Sequence, residues 1–435
     1  MSKNTFYISC PFDTYSGYGA RSRDLVKAII ELDKYDVKLI SQRWGNTPWG
    51  FCKDNPEWEF LTQYLYPYPQ LTEQPDIWMQ VTVPNEFQPV GKFNIGCTAG
   101  METTLVHGTW VEGINRMNLN LVSSEHAKNS FLNSVFKKMD KDVLVGEVKV
   151  EKPIEVLFEG ANTDIYKVID LLPKNELYDT LNSIPESFNY LFVGHWMHGD
   201  LGEDRKNVGL LIKAFLETFK NKSKKPSLIL KISGAGTSYM DRDEMLKKIT
   251  MIKKSVNSTN LPNVYLLHGE FSDSEMNQLY NHPKVKAMVS LTKGEGYGRP
   301  LLEFSLTKKP IIASGWSGHI DFLNKEFTPL LPGKLTNVHP SAVVKDMILA
   351  ESQWFSPDHG AIGHYLKDVF ENYKKYSEGA KRQAFKNKSE FNWNKMKEKV
   401  DKLFTQYVPD LPKKIELKLP DLKKIKLPKK PTLNG

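Results

Sequence analysis

Cysteine is scarce in this sequence: Cys10, Cys52 and Cys97 are widely spaced in 435 residues, with no C-x-x-C pair. That excludes a disulfide framework and fits reduced thiols in a cytoplasmic protein. Long apolar runs are missing as well. No stretch approaches the roughly 18–20 residues a transmembrane helix requires. The opening MSKNTFYISC reads as a strand, without the apolar core and cleavage site of a secretion signal. Metal-ligand spacing is thin. Asp140-Lys141-Asp142 and Asp241-Arg242-Asp243 match D-x-D, but such short patterns arise readily in a chain that is 25% charged. His195 and His198, with Asp200 and Asp204 nearby, form a weak cation candidate, so no metal is expected. Charge of one sign is not extreme either. A net +8 is modest for this length and compatible with an anionic substrate.

What is present is a chain 40% hydrophobic and too long for one ordinary core, which predicts two domains. The most informative stretch is LTKGEGYGRPLLEF, Leu291–Phe304, with KKPIIASGWSGHIDFL behind it. VKAMVSL upstream reads as a buried strand, and Pro300 suits the first turn of a helix, where its missing N–H costs nothing. Glu295 and Glu303 thus flank a glycine turn between strand and helix. A loop entering a helix can bring both carboxylates to one helix N-terminus, where free N–H groups suit an anion. Carboxylates beside a phosphate would repel it, so neutral hydroxyls are their expected targets, a sugar for one and a ribose for the other.

The pattern S-x-x-x-E-G-Y-G-R-P-L-L-E followed by K-P-I-I-A-S resembles the E-x7-E signature of retaining, nucleotide-sugar-dependent glycosyltransferases of family four. The resemblance implies the GT-B fold, an α/β architecture of two Rossmann-like domains with a cleft between them. It implies that Glu295 contacts the donor sugar near the anomeric centre and that Glu303 holds the ribose hydroxyls. Gly296, Tyr297 and Gly298 complete the donor loop. The family usually has an apolar residue where this chain has Arg299, here expected on the donor side. In GHWMHGDLGEDRKN, Lys206 matches the lysine that neutralises the donor diphosphate. The arginine usual directly after the strand glycine, Gly194, is His195 here, and Arg205 or Arg299 supplies the missing charge. Arg205 and Lys206 as a merely solvated pair is the alternative.

The rest of the chain fits the same scheme. TFYISC, then PFDTYSGYGARSRDLVKAIIEL, then DVKLIS read as strand, helix, strand, with Ser22 as a candidate cap. Gly17 and Gly19 stand where the family's first glycine loop approaches the donor phosphates, with Arg21 and Arg23 close by. As a dinucleotide fingerprint the stretch is weak, because Ser22 replaces the third glycine and Gln42 follows the second strand. On the acceptor side the resemblance points to Glu102, His107 and Glu125, with His107 equally readable as a hydrogen-bonded structural histidine.

The expected domains are 1–170 (acceptor side), a linker at 171–188, 189–385 (donor side), a closing helix at 386–407 and a basic Pro/Lys-rich tail at 408–435. Strands alternating with helices from Asn189 onward imply a parallel sheet covered on both faces, with ligands at the strand C-terminal ends. The implied activity is front-face hexosyl or pentosyl transfer with retention. The donor is a nucleotide sugar, UDP-linked ahead of GDP-linked, and no cofactor is needed. The alternatives are a nucleotide-sugar epimerase and a non-catalytic module that binds glycan or nucleic acid. Expected acceptors are a glycan or lipid-linked sugar, with modified DNA as a further option. That option draws on Arg116, Lys128, Lys137, Lys138 and Lys141, and on a tail able to meet an anionic partner.

Overall fold

The computed structural model describes residues 3–411 apart from 141, 142 and 235. Most of the expected basic tail, and Lys141 and Asp142 of the first D-x-D match, lie outside the described residues.

The first half opens with β1 (Asn4–Cys10), α1 (Gly17–Glu31), β2 (Tyr35–Ser41) and a short α2 (Phe51–Asp54). It continues through β3 (Ile77–Val81), β4 (Phe93–Thr98), α3 (Gly108–Arg116), β5 (Leu119–Val122) and α4 (Glu125–Leu132). A hairpin of β6 (Phe136–Asp140) and β7 (Val143–Val148) leads to β8 (Ile154–Val156). Six of these strands form one parallel sheet in the order β2-β1-β3-β4-β5-β8. β3 and β4 are buried along their whole length. Fully buried strands of this kind belong to parallel sheets covered on both faces.

The second half begins with α5 (Glu176–Ser183), β9 (Asn189–His195), α6 (Val208–Phe219), β10 (Ser227–Ser233) and α7 (Tyr239–Ser255). It goes on through β11 (Val264–Leu267), α8 (Asp273–Asn281), β12 (Val285–Ser290), α9 (Arg299–Ser305), β13 (Ile311–Ser314) and β14 (Leu330–Leu331). These build a second six-stranded parallel sheet, β11-β10-β9-β12-β13-β14. An antiparallel pair, β15 (Gly333–Asn337) and β16 (Gln353–Pro357), precedes α10 (His359–Glu371), α11 (Tyr373–Glu390) and α12 (Trp393–Tyr407). Two parallel sheets of this design, facing each other at their strand C-termini, are the GT-B fold. No described helix is long and apolar enough to cross a membrane.

Four local outcomes differ from the sequence reading. α1 starts at Gly17, capped by the Ser16 hydroxyl, which accepts the Gly19 N–H at 2.9 Å. Ser22 instead donates to the Tyr18 carbonyl one turn back. Gly19 is needed for packing, since a Cβ there would sit 2.3 Å from the Thr14 carbonyl oxygen. The stretch expected as a linker contains α5, capped by Asn175 and anchored by buried Leu181. The single closing helix is two, broken where Asn392 caps α12 by accepting the Lys395 N–H. Finally, Arg116 of the presumed nucleic-acid patch is spent on the carbonyls of Phe87 and Asn85.

α12 returns the chain to the first half, where Met396, Val400, Leu403 and Phe404 join the core under β1. Phe404 is 1% exposed, and its ring lies 5.6 Å from Phe6 and 6.3 Å from Tyr35. Phe404→Ala is therefore expected to cost about 3–5 kcal/mol of unfolding free energy. Urea titration followed by fluorescence checks this, and a loss under about 1 kcal/mol would mean that α12 contributes little to the first core.

Candidate active site

The site is assembled from loops at the C-terminal ends of strands. After β12, Thr292–Gly298 turns sharply into α9, with Gly298 at φ 96° closing the turn. This loop is pressed into the first half. A Cβ on Gly294 would lie 2.0 Å from the Glu102 carbonyl oxygen, and one on Gly296 would lie 2.9 Å from that of Ala99. Ser123 and Ser124 both donate to the Gly296 carbonyl, at 3.0 and 2.6 Å. The segment after β9 is laced to the same loop. The Lys293 N–H donates to the Arg205 carbonyl at 2.7 Å, and the Asn207 amide donates to that of Leu291 at 2.9 Å.

These constraints bring five of the expected residues together. Both Glu295 carboxylate oxygens accept from the Lys206 ammonium at 2.6 Å. Arg205 Nη1 sits 3.0 Å from Glu102, 3.5 Å from Glu295 and 3.0 Å from the Gly294 carbonyl. His195 lies close enough for Lys206 and Arg205 to act on it, and its Nδ1 is 3.0 Å from the Ser233 hydroxyl. Burial pushes the Glu295 carboxyl up, but Lys206 and then Arg205 outweigh this and bring it down to about 2. Burial lowers Lys206, and Glu295 opposes the shift. Glu295 is thus an ionised hydrogen-bond acceptor and a poor proton donor at neutral pH.

Glu303, one helical turn beyond Arg299, sits in a second cluster. Its Oε1 accepts from Arg299 Nε at 2.9 Å, while Arg299 Nη1 lies 2.7 Å from Asp24 and 3.9 Å from Glu159 of the first half. Burial alone would lower Arg299, but Asp24, Glu303 and Glu159 outweigh it and keep the guanidinium charged. One guanidinium cannot neutralise three carboxylates at once. Burial, with Asp273 and Asp24 adding to it, lifts Glu303 to about 8 against the pull of Arg299.

The remaining expected residues lie apart from this centre. The Tyr297 ring packs on Phe322 in the core of the second half. His107 caps α3 through Thr109, with its other nitrogen 3.7 Å from Asp346. Glu125 is exposed at the start of α4, its N–H bonded to Asp321. Gly17 has open space around it at the α1 N-terminus, while Gly194 directly precedes His195 at the end of β9, where a Cβ would lie 3.2 Å from the Phe192 ring. Arg21 and Arg23, expected beside phosphates, are buried and donate to the backbone carbonyls of Phe158 and Phe12. Among the described residues, no group of three His, Cys, Asp or Glu is placed to hold a metal ion. Asp241 of the second D-x-D match instead accepts from the Gly234 N–H and sits 2.8 Å from His268.

Residues not singled out in the sequence also belong to the site. Ser317 accepts the Glu295 N–H at 2.9 Å, and the Gly318 N–H donates to the Glu295 carbonyl at 3.0 Å. Ser317 holds φ 79°, ψ −163°, a region that suits glycine, so its backbone is strained where it grips Glu295. Asp24 and Glu159, the partners of Arg299, were likewise missed. Of these three only Ser317 carried a signal, and it was positional: SGHID follows β13 at the end of the sheet where ligands bind.

No protein-family model and no curated protein matches this chain. Solved structures do. A glycosyltransferase from Rickettsia africae aligns over 94% of this chain and all of its own, at 14% identity and a TM-score of 0.62. HepE of Anabaena, solved with UDP-glucose, aligns over 93% of this chain and all of its own, at 13% identity and a TM-score of 0.60. Sucrose-phosphate synthase from Thermosynechococcus elongatus aligns over 93% of this chain and 98% of its own, at 12% identity and a TM-score of 0.58. At such identities the likeness establishes the shared two-domain fold.

The two glutamates respond to pH in opposite directions. Glu303, raised to about 8, binds its proton more tightly when folded, so stability falls as pH climbs from its ordinary 4.5 through 8. Glu295, depressed to about 2, contributes stability that is present above 4.5 and lost as pH falls toward 2. Glu303→Gln removes the alkaline loss. Its melting temperature is expected to fall less than the parent's between pH 6 and 9, by the equivalent of about 2–3 kcal/mol. Parallel melting curves for parent and variant would contradict this assignment.

Proposed function

We propose that this chain is a retaining glycosyltransferase that moves a hexosyl or pentosyl group from a UDP-sugar to an acceptor hydroxyl. The observation that carries the reading is the Glu295–Lys206–Arg205 cluster, set in the cleft of a GT-B fold with Glu303 one helix turn into α9. The neighbour solved with UDP-glucose supports a UDP-linked donor.

Lys206 and Arg205 hold the donor diphosphate, and Glu295 accepts from a sugar hydroxyl near the anomeric carbon. Glu303 accepts from the ribose, whose hydroxyls take the place of part of its present contact with Arg299. The acceptor oxygen attacks the anomeric carbon on the face from which the diphosphate departs. The bond from that carbon to the phosphate oxygen breaks and its electron pair leaves with the diphosphate, whose oxygen takes the acceptor proton. Fixed cations stabilise the growing negative charge without reorganising, and no protein base is required. No metal enters this scheme. An epimerase would use Glu295 as an acid, which its depressed carboxyl disfavours. The acceptor we favour is a glycan or lipid-linked sugar, approaching from the side of Glu102. The three cysteines are buried and free, which suits the reducing cytoplasm.

Incubation with a panel of UDP- and GDP-sugars, followed by assay of released nucleoside diphosphate, tests the reading. The parent should release UDP, unaffected by EDTA. Lys206→Ala should be slower by two or more decades, about 3 kcal/mol of transition-state stabilisation. Glu295→Ala should lower turnover more than donor binding. No release from any donor, or full dependence on added divalent ion, would overturn the proposal.

A further inference from the structure

Away from the Glu295 cluster, the second half encloses a cavity of about 490 Å³ between the turn at 201–203, α6 and the start of α10. None of Arg205, Lys206, Glu295 and Glu303 lines it, so it is a separate place and not an arm of the transfer centre. Its size is that of a small-molecule site. Leu201, Leu210, Ala214 and Pro357 give it an apolar wall.

The polar side carries two carboxylates, Glu203 and Glu217, and two ammonium groups, Lys213 and Lys293, together with His359 and Ser356. Lys213, Glu217 and His359 are exposed and form its mouth, while Lys293 is buried. Among the described residues, neither Lys213 nor His359 is engaged in a hydrogen bond or ion pair. Glu217 holds Lys220 through Oε2 at 2.5 Å, which leaves Oε1 for the cavity. The Lys293 ammonium meets Glu203 Oε2 and the Ser356 hydroxyl at 3.5 Å each, beyond good hydrogen-bond length.

This balance of charge decides the class of ligand. An anion would gain the two lysines but meet the two glutamates, and a cation would meet the reverse. A neutral polyol suffers neither. Its hydroxyls can donate to the carboxylates, accept from the ammonium groups, and bridge Lys293 to Glu203 where their direct contact is long. The C–H face of a sugar ring suits the apolar wall opposite.

We propose that this cavity is a second carbohydrate site, which holds sugar units of a neutral glycan away from the transfer centre. Choosing a glycan among polyols rests on the transferase reading, whereas the cavity's position and charge balance do not. Lys293 belongs to the donor loop, so the test uses residues remote from that loop.

The full chain is titrated, by ligand-observed NMR, with neutral trisaccharides of glucose, mannose, galactose and N-acetylglucosamine. Inorganic phosphate and UDP are titrated separately. The parent should bind at least one trisaccharide. Lys213→Ala and His359→Ala should each weaken it about fivefold or more, and Ala214→Trp, which fills the cavity, should abolish it. UDP affinity should stay within about twofold in every variant. Should Ala214→Trp melt early, the two variants at the mouth carry the comparison. If the parent binds UDP but no trisaccharide, or all variants bind the trisaccharide as the parent does, the proposal fails alone. It fails likewise if phosphate binds and Ala214→Trp expels it, because the occupant is then an anion. If the parent binds no UDP, the transferase reading falls, while trisaccharide binding lost in the variants would still support the cavity as a glycan site.

Discussion

One guanidinium ties the two halves of this molecule to its site. Arg205 reaches from the second half to Glu102 of the first while touching Glu295 and the Gly294 carbonyl of the donor loop. The contact works because the glycine loop comes so near the first half that any side chain at position 294 would collide with Glu102. Buried ion pairs of this kind add little net stability, since desolvating the charges offsets their attraction. Their value here is geometric. With Arg205 held on two sides, Lys206 is fixed beside it, and Glu295 is ionised where the proposed transfer puts the reacting sugar.

The two carboxylates of the E-x7-E pattern live in opposite electrostatic surroundings. Glu295 faces two cations, Lys206 and an Arg205 that it shares with Glu102, whereas Glu303 shares one guanidinium with both Asp24 and Glu159. The same residue type therefore stays charged at one end of the loop and resists charging at the other. A charged acceptor suits the place where a glycosidic bond polarises. A protonated or shared carboxyl suits a neutral ribose, which would otherwise leave a buried charge behind when it departs. Arg299, apolar in the family this motif resembles, joins the second cluster to α1 and so gives the cleft a second cross-domain tie.

Much of this was legible in the sequence. The alternation of β9 to α9 could be read because each strand is a short apolar run and two of the helices carry their own caps, Ser238 on α7 and Ser272 with Glu275 on α8. Glu295, Glu303 and Lys206 were legible because they sit in one contiguous motif and in the turn after β9. Pairings across the cleft were not. Glu102 meets Arg205, and Asp24 meets Arg299, only once two separately folded sheets are docked, and no local spacing encodes that. The same holds for Arg21 and Arg23, whose charge suggested phosphate while their burial directs them to backbone carbonyls. Ser22 looked like a cap because Gly17 and Gly19 resembled a loop, yet Ser16 had already started the helix around them.

The central claim is that a nucleotide is held by the loops after β9 and β12. Hydrogen–deuterium exchange of the full chain, with and without millimolar UDP, addresses it most directly. The account predicts slower exchange in 194–207 and 291–303, with the outer helices α7 and α10 unchanged. Protection confined to other segments, or none in these two loops while UDP is demonstrably bound, would contradict it.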